Sequence, residues 1–432
     1  MSETIANIEE RFGQLGEERF YHIEGNQLCR TKSRKLAAGS IFAWIQNLLR
    51  FILLPQGYPS SVSDDYMQYQ LWDTLQAFCS YLSGTLTTRA IMQGVGVGDA
   101  AATPLAATIT WIMRDGTGMV GRIVFASWKG PELDTNCKKW RLAADILNDM
   151  AMSLELCSPL FPESYFALVL CLATSMKAIV GVAGGATRAA LTQHQARNGN
   201  MADVAAKDGS QETFVNLIAS NIGIIILPLI TSNELAWMLF SLLTSVHLFA
   251  NYRAVCCLNI PILNAPRFNI LFQQMKSSQI VLSPKEVNAR EPVVLGRNDF
   301  SNINGWSIKL GESFSTLKDV SVNQIHHSTS LNLDYAIFAS PSKMQILVMM
   351  RKGKQPDVLK AYFNALLVGC ELKEQSLLND KSINRCLSVA NEKLNNEYQI
   401  LKEKAQKLGW LMEKHQLLVN EWVADWSAKK IN

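Results

Sequence analysis

The sequence predicts a mainly α protein: a polytopic helical membrane domain of about six spans, followed by a smaller soluble α+β domain. Three observations carry this. Only 18% of the 432 residues are charged while 48% are hydrophobic, against roughly 25% charged in an ordinary soluble domain. Six long apolar stretches crowd into residues 61–260, and the Lys and Arg residues between them alternate from loop to loop. The composition excludes disordered and fibrous classes, and a net charge of +4 gives no case for nucleic acid as a partner.

Residues 1–60 form a polar lead-in. Its first 39 residues include Glu9, Glu10, Glu17, Glu18 and Glu24, too acidic for a transit peptide and without the apolar run of a secretory signal. Membrane entry is therefore expected through internal segments. Ile41–Leu54, about 14 residues around Arg50, has the length of an interfacial helix rather than a span.

Within residues 61–260 the apolar stretches are Leu71–Met92, Thr103–Trp128, Leu142–Phe161, Tyr165–Thr187, Phe214–Ile230 and Leu235–Tyr252. A span needs about 20 mostly apolar residues. The first three are interrupted by Asp73 and Arg89, by Arg114, Asp115 and Arg122, and by Asp145, Asp149 and Glu155. With the N-terminus inside, the inner loops and flanks hold Arg30, Lys32, Arg34, Lys35, Lys129, Lys138, Lys139, Arg141, Arg188, Arg197, Arg253 and Arg267. The outer loops 93–102, 158–164 and 231–234 hold no Lys or Arg. This positive-inside pattern places both termini on the cytosolic face. The alternative, fewer spans or a peripheral bundle, stays open because a charge at the bilayer centre costs roughly 2.5–3.5 kcal/mol on insertion scales.

Residues 261–432 read as soluble α+β. Gln279–Leu282, Trp306–Leu310, Tyr335–Ala339 and Met344–Met350 are short strand-like runs bounded by turn residues. A helix is expected over Asp357–Leu372 after Pro356, and a long amphipathic one over Lys381–Ala428 carrying Trp410, Trp422 and Trp426.

Polar groups inside the apolar region are the candidate site. Arg114-Asp115-Gly116-Thr117-Gly118 interrupts the second stretch near its middle, so a helix broken there would offer backbone groups to a solute or ion; an Arg114–Asp115 staple between helices is the competing reading. Arg141, Asp145 and Asp149 follow at i,i+4 on one helix face, either a coupled carboxylate pair or a polar stripe of the bundle. Gly94-Val95-Gly96-Val97-Gly98-Asp99 and Gly181–Arg188 are glycine-rich links, suited to close helix approach rather than to nucleotide. They recur at an offset of about 87 residues, and Asp115-Gly116-Thr117 recurs as Asp208-Gly209-Ser210. The reading is a 3+3 inverted repeat or chance likeness of Gly/Ala-rich sequence. The densest polar cluster runs from Gln193 to Glu212 and includes His194, Asp203 and Asp208. The candidate solute- or ion-binding residues are thus Arg114, Asp115, Thr117, Arg122, Asp145, Asp149, Arg188, His194 and Asp208. Nine cysteines without a C-x-x-C pair and the absence of hydrolase or zincin motifs give no catalytic residue, metal or cofactor.

Several of these runs resemble the root UV-B sensitive family. They are Gly57-Tyr58-Pro59-Ser60-Ser61-Val62-Ser63-Asp64-Asp65-Tyr66, Gln70-Leu71-Trp72-Asp73, Ala102-Thr103-Pro104-Leu105-Ala106-Ala107-Thr108, Arg114–Gly118, Trp140–Asp149 and Gly181–Glu212. The resemblance covers roughly residues 40–260. It implies a eukaryotic membrane-associated protein with no established enzymatic activity. Its plant members are linked to seedling UV-B response, vitamin B6 homeostasis and auxin transport, and some are plastid proteins. Without an evident transit peptide, this chain is expected in the animal-type branch. Two functions follow as expectations: carrier-like handling of a small polar solute, or a membrane-anchored scaffold that binds a protein partner through its C-terminal domain, with membrane lipid a partner in both.

Overall fold

The computed structural model describes residues 7–11, 18–24, 27–34, 41–94, 104–296, 302–331, 333–353, 357–375 and 378–426. Lys35, the glycine link from Val95 to Asp99, and Pro356 lie outside the described residues. The chain divides into two compact units. The first comprises Met1–Thr103, Met152–Phe166 and Arg188–Ala254; the second comprises Pro104–Ala151, Ala167–Thr187 and Val255–Asn432.

The first unit begins with an antiparallel meander of β1 (Asn7–Arg11), β2 (Glu18–Glu24) and β3 (Gln27–Arg34). Its register sets Ile8 opposite Tyr21 and Tyr21 opposite Arg30. The three strands are rich in charged residues and show no apolar/polar alternation, so the lead-in gave no strand signal. Helix α1 (Ile41–Leu53) follows. Its last carbonyls would be orphaned, but Lys207 Nζ donates to the Phe51 carbonyl at 2.6 Å and Gln211 Nε2 to that of Leu53.

Five long helices continue the chain: α2 (Tyr66–Gly94), α3 (Pro104–Thr135), α4 (Cys137–Cys157), α5 (Glu163–Gln195) and α6 (Met201–Ile226); α7 (Asn233–Cys257) follows. In the first unit α2 and α6 run in the same direction: Gln70 meets Asp208 near one end and Arg89 Nη1 donates to the Ile230 carbonyl at 2.7 Å beyond the other. Helix α7 runs against α2, with Trp72 edge-on to Phe249 and Gln76 against His247. Cys79, Leu82, Leu86, Ala219, Phe240 and Leu243 close an apolar core between them.

Helix α2 buries a mixed face. Tyr66, Gln70, Gln76, Ser83 and Thr87 are buried together with Cys79, Leu82, Leu86, Ala90 and Ile91, whereas Leu71 is 65% exposed and Met67, Leu75 and Met92 also face outward. Polar groups thus share the interior with apolar ones, while several large apolar side chains lie outside.

Six long helices occupy the six predicted stretches, but three are long and apolar enough to cross a membrane: Ser164–Gln195, Met201–Leu229 and Asn233–Cys257. The six-span expectation is corrected to these three. The charges and buried polar positions of α2, α3 and α4 are the reason. Three further expectations fail locally. Helix α3 is not broken at Arg114–Gly118. A Cβ on Gly118 would stand 3.1 Å from Thr174 Cγ2, and one on Gly121 would stand 3.5 Å from the Ser175 carbonyl oxygen; the glycines therefore admit α5 rather than interrupt α3. Gly181–Gly185 likewise does not end α5, which continues to Gln195. The polar run after it is mostly helical, since α6 begins at Met201, and Asp208-Gly209-Ser210 is a helix turn.

The second unit has its own core. The short strands β4 (Asn302–Ile303), β5 (Trp306–Leu310), β6 (Tyr335–Ser340) and β7 (Gln345–Arg351) form a sheet in the order β4-β5-β7-β6, with β5 parallel and β6 antiparallel to β7. Helices α8 (Ala265–Ser278), α9 (Pro284–Arg290), α10 (Val322–Ser330), α11 (Val358–Lys373) and α12 (Asp380–Lys407) accompany it. Phe268, Phe272 and Phe363 join Trp306, Ile346 and Leu366 in one buried cluster. The run Gln279–Leu282 is not a strand: Gln279 takes a left-handed conformation (φ 59°) that caps α8. The last helix stops at Lys407 rather than near Ala428, because Gly409 (φ +93°) turns the chain. Residues 410–424 then run as an extended strap. Leu411 donates to Pro261, Gln416 to Leu263 and Asn420 to Leu310, and β8 (Val423–Ala424) pairs with β7. Trp410 leaves the helix and buries its indole, Nε1 donating to the Leu282 carbonyl at 2.9 Å.

A three-charge cluster pins this unit. Glu291 accepts from Arg267 Nε at 2.9 Å and from Lys138 Nζ at 3.1 Å, and all three side chains are at most 4% exposed. Lys138 also donates to Asn288 and the Leu258 carbonyl, and Arg267 to the Ile262 carbonyl and Gln416. Burial opposes ionisation of Glu291, but the Arg267 and Lys138 charges overcome it and hold the carboxyl down at about 2. Burial lowers Lys138 from its ordinary value.

Because the Glu291 carboxyl is depressed from 4.5, its contribution is fully present above about pH 4.5 and is lost as the pH falls toward about 2. The expected result in acid titration of unfolding is a stability loss over that window that Glu291→Gln no longer shows. At neutral pH that variant, which leaves two buried cations facing an amide, should lose about 3–5 kcal/mol by denaturant unfolding. At the α3–α5 seam, Gly118→Val should cost roughly 1–3 kcal/mol by overpacking. Gly116→Ala, whose added methyl meets nothing within 4 Å, should be neutral or gain up to about 1 kcal/mol of helix propensity; the same unfolding measurement separates the two glycines.

Candidate functional site

The loop from Gly57 to Asp65 closes over the α5–α6 junction in the first unit. Val62 bridges to Ala196 in antiparallel fashion, Ser63 N donates to the Gln195 carbonyl at 3.0 Å, and Arg197 N donates to the Ser61 carbonyl at 3.1 Å. These backbone bonds carry Asp65 under α5, where its Oδ2 lies 2.9 Å from His194 Nε2 while Oδ1 accepts from Ser63 Oγ. The Asp65 and His194 side chains are 2% and 10% exposed. Tyr66 opens α2 beside them, fully buried, and accepts from Gln211 Nε2 at 3.2 Å. Burial pushes its phenol up to about 12, so it stays neutral.

One helical turn further on, Asp208 collects two partners: Arg188 Nε on Oδ2 and Gln70 Nε2 on Oδ1 at 3.2 Å. Arg188 Nη1 also donates to Glu212 Oε2 at 2.7 Å. Gln56 N on Asp203 (2.7 Å) and Lys207 on the end of α1 complete the assembly. The α1 end, the loop, α2, the end of α5 and the start of α6 thus converge on one charged, mostly buried network.

In a hydrolytic triad the histidine stands between serine and carboxylate; here Asp65 stands between Ser63 and His194. Among the described residues no group of three or more His, Cys, Asp or Glu side chains is placed to hold a metal ion. What the network offers is a guanidinium fork, two buried carboxylates, an imidazole and a neutral phenol. At the far end of α2, a cleft of about 60 Å³ is lined by Arg89, Gln93, Asn233 and Trp237 among others, well below the roughly 300–1,000 Å³ that enclose a small organic ligand.

Of the nine residues singled out by the sequence, Arg188, His194 and Asp208 fall in this network. The other six lie in the second unit. Arg114 Nε donates to Thr174 Oγ1 at 2.7 Å and its guanidinium stacks 4.6 Å from the Trp111 ring. Asp115 is exposed and points away, so the expected Arg114–Asp115 staple does not form; consecutive helix residues diverge. Thr117 returns its hydroxyl to the Arg114 carbonyl, and Arg122 is exposed. Asp145 and Asp149 are both buried on α4. Not among the candidate residues were Asp65, Tyr66, Gln70 and Gln211. All four belong to runs noted for their family resemblance, and Gln211 to the polar cluster ending at Glu212, but nothing in spacing connects Asp65 to a histidine 129 residues away.

Removing the carboxylate at the centre of this network should be felt. Asp208→Asn keeps the bond to Gln70 but strips Arg188 of one anion; Arg188 is 39% exposed, so solvent screening limits the loss to about 1–2 kcal/mol. Arg197→Ala, whose partner Asp64 is 90% exposed, should change stability by less than about 0.5 kcal/mol. Thermal unfolding of the full chain in detergent compares them.

Residues 41–279 match the family described as the vitamin B6 photo-protection and homoeostasis domain, and residues 280–426 match the root UVB sensitive protein C-terminal domain. The chain is 37% identical to protein root UVB sensitive 3 of Arabidopsis thaliana over 394 residues, covering 89% of this chain and 87% of that one. It is 45% identical to RUS family member 1 of Dictyostelium discoideum over 282 residues, 64% of this chain and about half (52%) of that protein. Protein root UVB sensitive 2, chloroplastic, of Arabidopsis thaliana is 25% identical over 83% of this chain and 81% of its own length. No solved structure matches the chain. The matched domains, and the gathering of the Gly57–Tyr66, Gln70 and Arg188–Glu212 motif residues into one network, make this chain a member of the root UV-B sensitive family.

Proposed function

We propose that this chain is a membrane-embedded protein of vitamin B6 homeostasis that handles a small polar solute in carrier-like fashion, with its termini on the cytosolic face. The observation that carries the reading is the mixed burial of α2: Gln70, Gln76, Ser83 and Thr87 lie inward among Leu82 and Leu86 while Leu71, Met67, Leu75 and Met92 lie outward, beside α6 and α7, both long and apolar enough to span. Such patterning suits a helix bundle whose surroundings are hydrocarbon and whose interior carries the polar work. The network around Arg188, Asp208, Asp65 and His194 is the recognition site. A B6 vitamer presents a pyridine nitrogen, ring hydroxyls and, when phosphorylated, an anion; carboxylate, imidazole and guanidinium are the complementary groups.

A second reading has one observation in its favour. The strap exposes Trp422 (62%), Val423, Leu411 and Leu418 on a unit with a complete core, as a surface for a protein partner would.

Two measurements test the proposal. Alkaline carbonate should leave the protein in the membrane; release into the wash would remove the carrier. Full-length protein in liposomes should then exchange pyridoxine or pyridoxal 5′-phosphate above empty vesicles, with Arg188→Gln lowering the rate at least tenfold. Full retention of cellular function by Arg188→Gln together with its loss in Trp422→Ala would favour the scaffold.

A further inference from the structure

The far end of the first unit holds a cation for which the network at Arg188 has no use. Arg89 lies near the end of α2, 19 residues after the Gln70 that meets Asp208, about 28 Å along the helix. The segments that meet around it, residues 90–94, 156–162 and 226–240, contain no Lys or Arg. Its partner is neutral: Nη1 donates to the Ile230 carbonyl at 2.7 Å, and Arg89 makes no ion pair among the described residues. Glu234, the acid on the adjoining start of α7, is exposed and engaged with Ser232 and its own backbone N–H. A partly buried cation is ordinarily answered by an anion, and one carbonyl leaves most of the N–H donors of a guanidinium unused.

The space beside Arg89 has a definite size and lining. The cleft of about 60 Å³ is bordered by Arg89, Gln93, Asn233 and Trp237, with Pro159 and Leu160 at its edge. A water fills roughly 10–15 Å³ of such space, so the cleft holds about four to six water-sized atoms, the bulk of one tetrahedral oxyanion. No carboxylate lines it, whereas a guanidinium and two side-chain amides do. The first turn of α7 borders it through Asn233 and Ala236, and a helix start adds partial positive charge. A phosphate group brings an acceptor oxygen for each of the three donor side chains, and Arg matches its geometry through two parallel N–H bonds. The rest of the lining is apolar, and Leu160 is 70% exposed. The cleft therefore has room for an anionic group but not for the body that carries it, which would lie outside across Trp237 and Leu160.

We propose that the cleft at Arg89 is a further anion site, which takes a phosphate group carried on an organic body. Arg89 pairs with the charge, Gln93 and Asn233 donate to the oxygens, and the body rests on the apolar edge. A phospholipid headgroup and a water-soluble phosphate ester share this chemistry. The site is distinct from the recognition network around Asp208 and stands whether or not the chain is a carrier.

The test is thermal unfolding of full-length protein in a neutral, phosphate-free detergent solution, titrated with inorganic phosphate, glycerol 3-phosphate or short-chain phosphatidylglycerol. The melting temperature should rise with concentration, since a ligand bound to the folded state stabilises it. The rise should vanish in Arg89→Gln, persist in part in Arg89→Lys, and survive in Arg188→Gln, which removes the guanidinium of the other network. Asn233→Asp sets a carboxylate on the cleft at an exposed position and should weaken apparent affinity at least tenfold by like-charge repulsion; it serves if Arg89→Gln does not fold. A response to glycerol 3-phosphate at concentrations where phosphatidylglycerol has none identifies a soluble ester as the ligand, and the reverse identifies lipid. No rise with any of the three probes, or an equal rise in wild type, Arg89→Gln and Asn233→Asp, overturns the site and leaves Arg89 as a cap on the Ile230 carbonyl. A rise lost in Arg188→Gln but kept in Arg89→Gln overturns it too, and places the anion in the Asp208 network.

Discussion

The first unit depends on one constraint: the glutamine amides buried on α2 must each find a partner. A buried amide or hydroxyl without a hydrogen bond costs roughly 1–3 kcal/mol. Gln70 is answered by Asp208 and Gln76 by His247. Both partners are far away in sequence, 138 and 171 residues. Once they are in place, α6 is set parallel to α2 and α7 against it, and the apolar side chains of all three helices are left to cover the remaining surface. The direction of the argument is unusual for a protein core. Apolar burial fills the gaps between Leu82, Leu86 and Phe240, but hydrogen bonding selects which faces meet.

The second unit solves its own problem with charge. Glu291 answers two buried cations, and each cation also takes neutral acceptors: Asn288 and the Leu258 carbonyl for Lys138, the Ile262 carbonyl and Gln416 for Arg267. These acceptors come from different parts of the unit: the linker after α7, helix α9 and the strap. The strap depends on a glycine as well. Gly311 has φ +69°, and a Cβ there would stand 2.0 Å from the Asn420 carbonyl oxygen, so the strap lies directly on backbone that no side chain covers. Electrostatic pinning and close backbone contact together hold an extended segment that has little apolar surface of its own to bury.

How much of this was legible follows from what each signal measures. Apolar run length located all six long helices, because each needs an apolar surface somewhere. It could not say which face was inward. In α2 the amides looked like impurities in a span, when Gln70 and Gln76 face inward beside Leu82 and Leu86, and Leu71 and Leu75 face outward. Glycines misled in two ways: at Gly116–Gly121 a helix-breaking reading neglected packing, since Gly118 and Gly121 let α5 approach, whereas at Gly181, Gly184 and Gly185, read as part of a link suited to close helix approach, an added Cβ meets nothing within 4 Å. The strands β5, β6 and β7 were legible because their apolar runs are bounded by turn residues. Gln279–Leu282 had the same composition but lies where the chain leaves a left-handed cap. In the site, Arg188, His194 and Asp208 stood out as charges in apolar surroundings. Asp65 and Gln70 did not, because their role exists only once the loop before α2 has closed over the α5–α6 junction.

The pairing pattern also bears on how a closed network can open. Arg188 has two anionic partners, and Asp208 has two donors, Arg188 and Gln70. A solute anion that takes one arm of the guanidinium displaces only Asp208 or Glu212, and each displaced carboxylate retains an alternative: Gln70 for the first, solvent for the exposed second. Under the carrier proposal, exchange passes through states in which every charge keeps at least one partner, avoiding the several kcal/mol that an isolated buried ion would cost. The cluster at Glu291 lacks this property. One carboxylate serves two buried cations, and no solvent reaches either, so breaking any pair there leaves a charge stranded. The two charged networks differ in stoichiometry: one guanidinium stands between two carboxylates in the first unit, and one carboxylate between two buried cations in the second.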